Sequence, residues 1–198
     1  MDDKSYKVNI REYRKAEHDI NPLFLKRWSP RAMSGESISD EELFSLLEAA
    51  RWAPSSYNNQ PWRFIYAKRD TKEWNKLFDL MYEPNQAWAK NAAVLFVVVS
   101  KKTFENGKEY PTHKLEAGSA WQNLALQAAN LSLVAHGMGG FDFEKARKDL
   151  NVPSEFDVEM MIAVGKHGKT EDLPKGFKEG EKPSSRMRIS EFSFKGSF

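Results

Sequence analysis

The sequence predicts one domain of the α+β class, spanning residues 1–198. Its length suits a single domain with a sizeable apolar core. A helix-start signature at Ser39 precedes a segment with helical apolar spacing. Residues 92–99 are apolar and largely β-branched without polar alternation, a pattern typical of a buried central strand.

The first clear helix is predicted to begin at Ser39 and to end before Pro54. Ser39 and Glu42 have the spacing of a capping box, and Ile38 and Leu43 stand where a hydrophobic staple would form. Pro54 stops the helix because proline has no backbone N–H to continue the ladder.

The following elements are predicted from apolar periodicity. A strand is expected over residues 64–67 and an amphipathic helix over residues 71–81. After the central strand and one long helix, a further helix is expected over residues 143–150 and a strand over residues 158–164.

The long helix is predicted over residues 115–135, where apolar and small residues occur nearly all round. Such a helix is buried either inside one monomer or against a partner subunit. Glycine-rich residues 137–140 would end it as a C-cap. Residues 166–186 are expected to form a solvated linker or crossing, and residues 189–194 alternate like an edge strand.

Composition narrows the function classes. A net charge of +2 and no basic stripe with exposed aromatic residues argue against nucleic-acid binding. The absence of cysteine excludes thiolate metal sites and a cysteine nucleophile, and the four histidines have no metal-binding spacing. The polar residues 1–23 lack a signal-peptide core and carry no assigned chemistry, although a helix is plausible there. The longest apolar run is too short to cross a membrane, so a cytoplasmic protein is expected.

Two polar segments point to a ligand. Arg27, Ser29 and Arg31 bring two guanidinium groups and a hydroxyl together around Trp28, which suits a phosphate. The segment from Pro54 to Phe64, PSSYNNQPWRF, places hydroxyls and carboxamides between prolines, so it is a rigid loop that could contact the edge of a flat heterocycle.

Together these segments resemble the FMN-dependent nitroreductase family, whose pattern is R-x-S-x-R, a helix, and then P-S-S-x-N-x-Q-P-W. The resemblance runs from about residue 24 to the C-terminus. It implies a central, mainly antiparallel sheet flanked by helices, and a homodimer whose C-terminal strand could be exchanged. It also implies FMN as the cofactor and NADH or NADPH as the electron donor.

The resemblance implies roles for individual residues. Arg27 and Ser29, with Trp28 between them, would hold the phosphate or ribityl chain, and Arg31 would lie nearer the pyrimidine end of the ring. The remaining residues implied to bind the cofactor are the loop residues Ser55, Ser56, Asn58 and Gln60 from the neighbouring subunit, Asn85 at the pyrimidine edge, Gly140 and its neighbour Gly139 near the flavin N5, and Arg186 or Arg188 at the phosphate. Some relatives have lysine where this chain has Trp88 and glutamate where it has Gly139, so those side-chain contacts are not expected here.

The implied activity is an FMN-dependent NAD(P)H oxidoreductase that reduces nitroaromatics, quinones or similar conjugated acceptors by a ping-pong hydride mechanism. No catalytic side chain is assigned, because the protein positions and tunes the flavin. The alternatives are a specialised flavoprotein of the same superfamily, such as a dehalogenase or an enal/aldehyde reductase, and a non-catalytic flavin-binding protein. No G-x-G-x-x-G is present, and the glycine cluster at residues 137–140 is expected to follow a helix, which is not the context of a Rossmann turn.

Overall fold

The computed structural model describes residues 8–198, which form seven α-helices around four β-strands. The helices are α1 (Leu23–Lys26), α2 (Asp40–Arg51), α3 (Trp74–Phe78), α4 (Glu83–Ala89), α5 (His113–Asn130), α6 (Phe143–Asp149) and α7 (Lys175–Lys178). The strands are β1 (Trp62–Lys68), β2 (Val94–Lys101), β3 (Leu133–Met138) and β4 (Phe156–Lys166). The predicted α+β class is confirmed.

The strands form one antiparallel sheet in the order β1-β2-β4-β3. β2 is internal, and its residues Val94 to Val99 are at most 4% exposed, which confirms the buried central strand predicted over residues 92–99. The predicted strands at 64–67 and 158–164 are also confirmed within the longer β1 and β4. Because β1 and β3 form opposite edges of the sheet, the segments attached to them lie far apart.

Alternate side chains of β2 build two separate cores, one on each face of the sheet, as the two-residue period of a strand requires. Leu95 and Val97 face one core, and Phe96 and Val98 face the other. The first core takes Trp28, Leu77, Met81 and Trp88, and the second takes Leu43 and Leu46 of α2 with Ala120, Leu124 and Ala128 of α5. The sheet therefore lies between two helical layers.

Helix α2 begins with the predicted capping box. The backbone N–H of Glu42 donates to Ser39 Oγ at 3.0 Å, and the backbone N–H of Ser39 donates to Glu42 Oε2 at 2.7 Å. Ile38 and Leu43 are both buried in the same core, as the staple positions predict. The helix ends at Arg51, three residues before Pro54.

Helix α5 is shorter than predicted. It ends at Asn130, and Ser132 then adopts a left-handed conformation with φ +62°. This turn reverses the chain, so residues 133–135, predicted as helix, are the first residues of β3. Apolar periodicity missed the change because a short apolar run has the same composition in a buried helix and in a buried strand.

The end of α5 also corrects the prediction for residues 137–140. Gly137 lies within β3, and Gly139 and Gly140 follow that strand, so the cluster is not a helix C-cap. The expectation that these glycines follow a helix was therefore wrong. The sheet still excludes a Rossmann turn, because that turn joins parallel strands and every strand pair among the described residues is antiparallel.

Three further predictions need correction. The helix expected over residues 71–81 is limited to the five residues of α3. The segment at residues 166–186 is not fully solvated, because Leu173 and Glu181 are each 6% exposed. Residues 189–194 form no edge strand; instead the 3₁₀ helix Ile189–Glu191 begins this segment.

The helix predicted over residues 143–150 is confirmed as α6. Of the N-terminal residues 1–23, the first seven lie outside the described part, and residues 8–22 contain the short 3₁₀ helix Ile10–Glu12. Within residues 8–198, no helix has both the length and the apolar character that a membrane crossing would need.

Candidate active site

The Arg27–Arg31 turn lines a cavity of about 270 Å³ at the end of α1. Arg27, Trp28, Ser29 and Arg31 all contribute to its wall. Arg27 Nη1 donates to Ser29 Oγ at 3.3 Å, so the guanidinium and the hydroxyl face the same space. Trp28 is 5% exposed and packs in the core beneath the turn. The structure therefore brings the first predicted segment together as one surface.

The opposite wall comes from the C-terminal region of the chain. Gly180, Lys182, Ser184 and Arg186 line the same cavity. Of the two arginines considered for the phosphate, Arg186 is at the cavity. Arg188 instead donates from Nε to Glu17 Oε1 at 3.2 Å, in a separate depression between the N-terminal segment and the tail.

Sequence reasoning missed three basic or titratable residues at this cavity: Arg14, Lys182 and His136. Arg14 belongs to the N-terminal segment that carried no assigned chemistry, and its Nη1 donates to the carbonyl oxygen of Arg27 at 2.7 Å. A single arginine or lysine in a polar segment has no sequence pattern that marks it as a site residue. His136 could have been found, because the alternation of β3 places it on a defined face once the strand is recognised.

Glu181 fixes the main chain of the predicted phosphate-binding turn. Its Oε1 accepts hydrogen bonds from the backbone N–H groups of Arg31, at 2.8 Å, and Ala32, at 2.7 Å. Burial raises the pKa of this carboxyl, against the lowering effect of the two N–H donors and of the Arg31 charge. A buried carboxylate in residues 166–186 was not predicted, because the composition of that segment is typical of a solvated linker.

His136 is a neutral wall residue at physiological pH. Its Nδ1 lies 3.1 Å from the carbonyl oxygen of Pro30, which requires a proton on that nitrogen. Its ring lies 4.7 Å from the buried Trp88 ring. Burial, with a smaller contribution from the Arg31 charge, lowers the pKa of His136 to about 4.

This pKa predicts a specific loss of stability on acidification. The unfolded chain protonates His136 near its usual pKa of 6.5, whereas the folded chain takes up that proton only near pH 4. Between these values the unfolded state binds more protons, so the free energy of unfolding falls as the pH falls. From pH 7 to pH 5, the apo-protein should lose about 2 kcal/mol more stability than the His136→Gln variant. Urea unfolding at both pH values measures this difference, and equal losses would contradict the assigned pKa.

Asn85 and Gly140 form a second part of the site. Asn85 Nδ2 donates to the carbonyl oxygen of Gly140 at 3.0 Å, and a Cβ at Gly140 would lie only 2.6 Å from that nitrogen. Gly139 has open space around the position of a Cβ. His136 lines the cavity from within β3, and Gly140 follows two residues after the end of that strand, so β3 leads from one part of the site to the other.

The loop between Pro54 and Trp62 has an unusual, closely fixed conformation. Tyr57, Asn58 and Gln60 have φ values of +51°, +54° and +46°. The backbone N–H of Gln60 donates to Ser55 Oγ at 3.0 Å, and Gln60 Nε2 donates to the carbonyl oxygen of Asn58 at 2.9 Å. Left-handed conformations at residues with side chains persist only where the surroundings impose them.

A buried carboxylate anchors the start of this loop. Glu116 of α5 accepts hydrogen bonds from the backbone N–H of Ser56 at 3.0 Å, from Thr112 Oγ1 at 2.8 Å and from the hydroxyl of Tyr110. The Tyr110 hydroxyl also lies 3.2 Å from the carbonyl oxygen of Ser56. Burial, reinforced by Glu116, raises the pKa of Tyr110 to about 12, so the phenol keeps its proton.

Within one chain the loop and the cavity lie on different edges of the sheet. The loop leads into β1, and the cavity residue His136 is in β3. Three strand spacings separate these edges, which is roughly 14 Å. None of the loop residues 54–62 is among the described residues that line the cavity.

One polar cluster lies apart from these features. His113, Asp157 and Glu159 offer ligand atoms within 4.8 Å of one another. Asp157, however, is already paired with Lys114 at 3.1 Å and Lys102 at 3.3 Å. A divalent cation would have to displace both ammonium groups, so the cluster is better explained as a salt-bridge network.

A profile of the Nitroreductase family matches residues 25–166 of this chain. The chain belongs to the nitroreductase family. A crystal structure of an oxidoreductase containing FMN superposes with a TM-score of 0.90 at 43% identity, covering 93% of this chain and 96% of that chain. The family predicted from the two motifs is thus confirmed, together with the fold.

Two curated relatives show the range of activities among similar proteins. An NADH dehydrogenase of Thermus thermophilus is 28% identical over 179 residues, covering 74% of this chain and 86% of the relative. An iodotyrosine deiodinase of Thermotoga neapolitana is 27% identical over 172 residues, covering 72% of this chain and 86% of the relative. Each of these two alignments covers more than two thirds of this chain and of the relative.

The nitroreductase match includes Arg27, Ser29 and Arg31, the loop at residues 54–62, and the glycines after β3. Arg14 precedes the matched region, and Glu181, Lys182 and Arg186 follow it. The cavity therefore combines residues of the family-matched region with walls contributed by both terminal segments of this nitroreductase-family protein.

Proposed function

We propose that this nitroreductase is an FMN-dependent NAD(P)H oxidoreductase that reduces nitroaromatics, quinones or similar conjugated acceptors. The cationic cavity at the Arg27–Arg31 turn carries the proposal. Five basic side chains line it: Arg14, Arg27, Arg31, Lys182 and Arg186. A flavin phosphate with nearly two negative charges would balance part of this positive charge.

The dimensions of the site fit FMN only if the molecule extends beyond the cavity. A volume of about 270 Å³ is below the range of roughly 300–1,000 Å³ that is usual for drug-sized ligands. It suits a phosphate and part of a polyol chain. The flavin ring would then lie along β3 towards Gly139, where open space surrounds the backbone, and Asn85 covers the neighbouring Gly140.

The residues of this chain would bind and orient rather than react. Arg27, Ser29 and Arg186 would hold the phosphate, and Asn85 would keep the Gly140 backbone in place through its hydrogen bond. His136, neutral and packed at an angle against the Trp88 ring, would close the wall without adding charge. Bound FMN would supply the redox chemistry, accepting hydride from the nucleotide and reducing a second substrate in a ping-pong cycle.

We further propose a homodimer in which the loop at residues 54–62 contacts the flavin of the partner subunit. The separation of roughly 14 Å between the sheet edges supports this arrangement. Three large apolar side chains are each more than half exposed: Phe44 of α2, Trp52 at the C-cap of α2, and Leu115 of α5. Their exposure suits an apolar subunit contact. The tail, with Phe192 and Phe194 exposed, could extend onto the partner.

The donor and acceptor classes rest on similarity. The relative from Thermus thermophilus is named for NADH oxidation, which supports a nicotinamide nucleotide as the donor. The deiodinase relative supports the alternative of a specialised dehalogenase. Such enzymes often carry long lid insertions, whereas residues 79–91 here contain only the short helix α4. We therefore favour the reduction of conjugated acceptors over dehalogenation. We also propose that the protein is cytoplasmic.

Colour and bleaching test the proposal. Purified protein should show flavin absorbance, and anaerobic NADH or NADPH should bleach it, with recovery on adding a quinone or a nitroaromatic compound. If neither nucleotide bleaches the flavin, the protein binds flavin but is not an NAD(P)H oxidoreductase. Protein that binds no FMN would overturn the proposal.

Arg31 offers a test of how the site tunes the flavin. Arg31 lines the cavity together with His136, and its charge contributes to the lowered pKa of that histidine. Arg31→Ala should lower the flavin reduction potential by about 30 mV for each 1.4 kcal/mol of lost stabilisation of the negatively charged reduced form. A dye-coupled reductive titration measures the shift, and a potential equal to that of the wild type would show that Arg31 lies away from the ring.

A further inference from the structure

Arg14 joins the two walls of the phosphate cavity through main-chain contacts. Its Nη1 donates to the carbonyl oxygens of Leu25, at 2.8 Å, and Arg27, at 2.7 Å. Its Nε donates to the carbonyl oxygen of Ser184 at 2.9 Å. One guanidinium therefore connects segments that are about 160 residues apart in the sequence.

The acceptors explain why arginine suits this position. The carbonyls of Leu25 and Arg27 lie at the C-terminal end of α1, where helix carbonyls lack intrahelical partners. Ser184 lies between Lys182 and Arg186, the two cations of the opposite wall. Only a planar fork with several N–H donors reaches all three oxygens at once, whereas lysine carries one compact ammonium group.

The charged form of Arg14 is disfavoured at this position, and a bound anion would stabilise it. Burial, together with the charges of Arg186 and Arg27, lowers the pKa of Arg14 to about 10. Four arginines line the cavity: Arg14, Arg27, Arg31 and Arg186. The Glu181 carboxylate accepts hydrogen bonds from backbone N–H groups on its wall. A bound phosphate would offset the mutual repulsion of these guanidinium groups.

We propose that Arg14 is a positioning residue of the phosphate site, setting the spacing of the Arg27–Ser29 wall relative to the Lys182–Arg186 wall. This inference rests on the proposed FMN function. It assigns a binding role to the N-terminal segment, which lies outside the region that matches the family.

The test compares two flavins that differ only in the phosphate. Affinities of the apo-protein for FMN and for riboflavin are measured by quenching of flavin fluorescence. Arg14→Gln should lower the FMN affinity at least tenfold while leaving riboflavin binding unchanged. Arg14→Lys, which keeps the charge and loses the fork, should recover only part of that loss. Arg11→Gln is the control, since Arg11 is an exposed arginine on the same segment and does not line the cavity.

The outcomes separate this inference from the proposed function. Wild-type protein that binds neither flavin, or binds both equally well, would refute the phosphate site itself. Wild-type preference for FMN that Arg14→Gln retains would overturn the role of Arg14 alone. Full recovery by Arg14→Lys would overturn its positioning role. If Arg14→Gln does not fold, Arg14→Lys provides the test through its ratio of FMN affinity to riboflavin affinity. A ratio equal to that of the wild type would overturn the proposal.

Discussion

Replacing Arg27 with alanine should lower the affinity for FMN by about 1.5–3 kcal/mol, the usual contribution of a hydrogen bond to a charged group. This corresponds to roughly a ten- to hundredfold larger dissociation constant. The reason is local: Arg27 and Ser29 share a hydrogen bond of 3.3 Å at the cavity wall, so losing the guanidinium removes both a charge and the orientation of the hydroxyl. Fluorescence titration of the apo-protein with FMN measures the effect.

Arg188→Ala is the matched control for this prediction. Both residues are arginines, but Arg188 pairs with Glu17 outside the phosphate cavity. Its replacement should leave FMN affinity close to that of the wild type. If Arg188→Ala weakens FMN binding as much as Arg27→Ala, the assignment of the phosphate to the Arg27 cavity is wrong.

Replacing Glu116 with alanine should destabilise the fold by about 2–5 kcal/mol. Glu116 is 7% exposed, and its loss leaves the buried Tyr110 hydroxyl without its carboxylate partner, which costs about 1–3 kcal/mol. It also removes charge-assisted hydrogen bonds to the Ser56 N–H and the Thr112 hydroxyl, which are partly buried. It should also release the left-handed turn at Tyr57 and Asn58. Urea unfolding measures the first effect, and proteolysis of the 54–62 loop measures the second.

Glu48→Ala provides the comparison for Glu116→Ala. Glu48 is an exposed carboxylate on α2 that pairs with Arg51 on the same helix, and surface pairs of this kind contribute little. Its replacement should leave the stability close to that of the wild type. If Glu116→Ala is equally mild and the loop stays resistant to protease, then Glu116 does not fix the loop conformation.

Local signals in the sequence predicted the parts of the fold that depend on neighbouring residues. The capping box at Ser39 and Glu42 forms because both partners lie within one helical turn. The β-branched run of β2 is buried on both faces, and a central strand is the element that suits such a run. The Arg27–Arg31 turn lines a cavity as its clustered donors predict.

Contacts between distant segments could not be predicted in the same way. Arg14, Glu181 and Arg186 reach the cavity only because the two terminal segments fold back towards α1. The end of α5 depended on a left-handed serine, a conformation with no strong sequence signal outside glycine and asparagine. The alternation at residues 189–194 predicted a strand, but the described chain pairs no strand with it.

In the proposed dimer, each flavin site combines the cavity of one chain with the loop of the other. The direct test uses two inactive variants: a cavity variant, Arg27→Ala with Arg31→Ala, and a loop variant, Ser55→Ala with Gln60→Ala. Each homodimer should bind little FMN. A heterodimer purified through two different affinity tags contains one intact cavity facing one intact loop.

This heterodimer is expected to bind one FMN per dimer with nearly wild-type affinity and to regain bleaching by NAD(P)H. If cavity and loop of the same chain formed the site, both sites of the heterodimer would remain damaged. A heterodimer that binds no more FMN than the parent homodimers would therefore contradict the shared site.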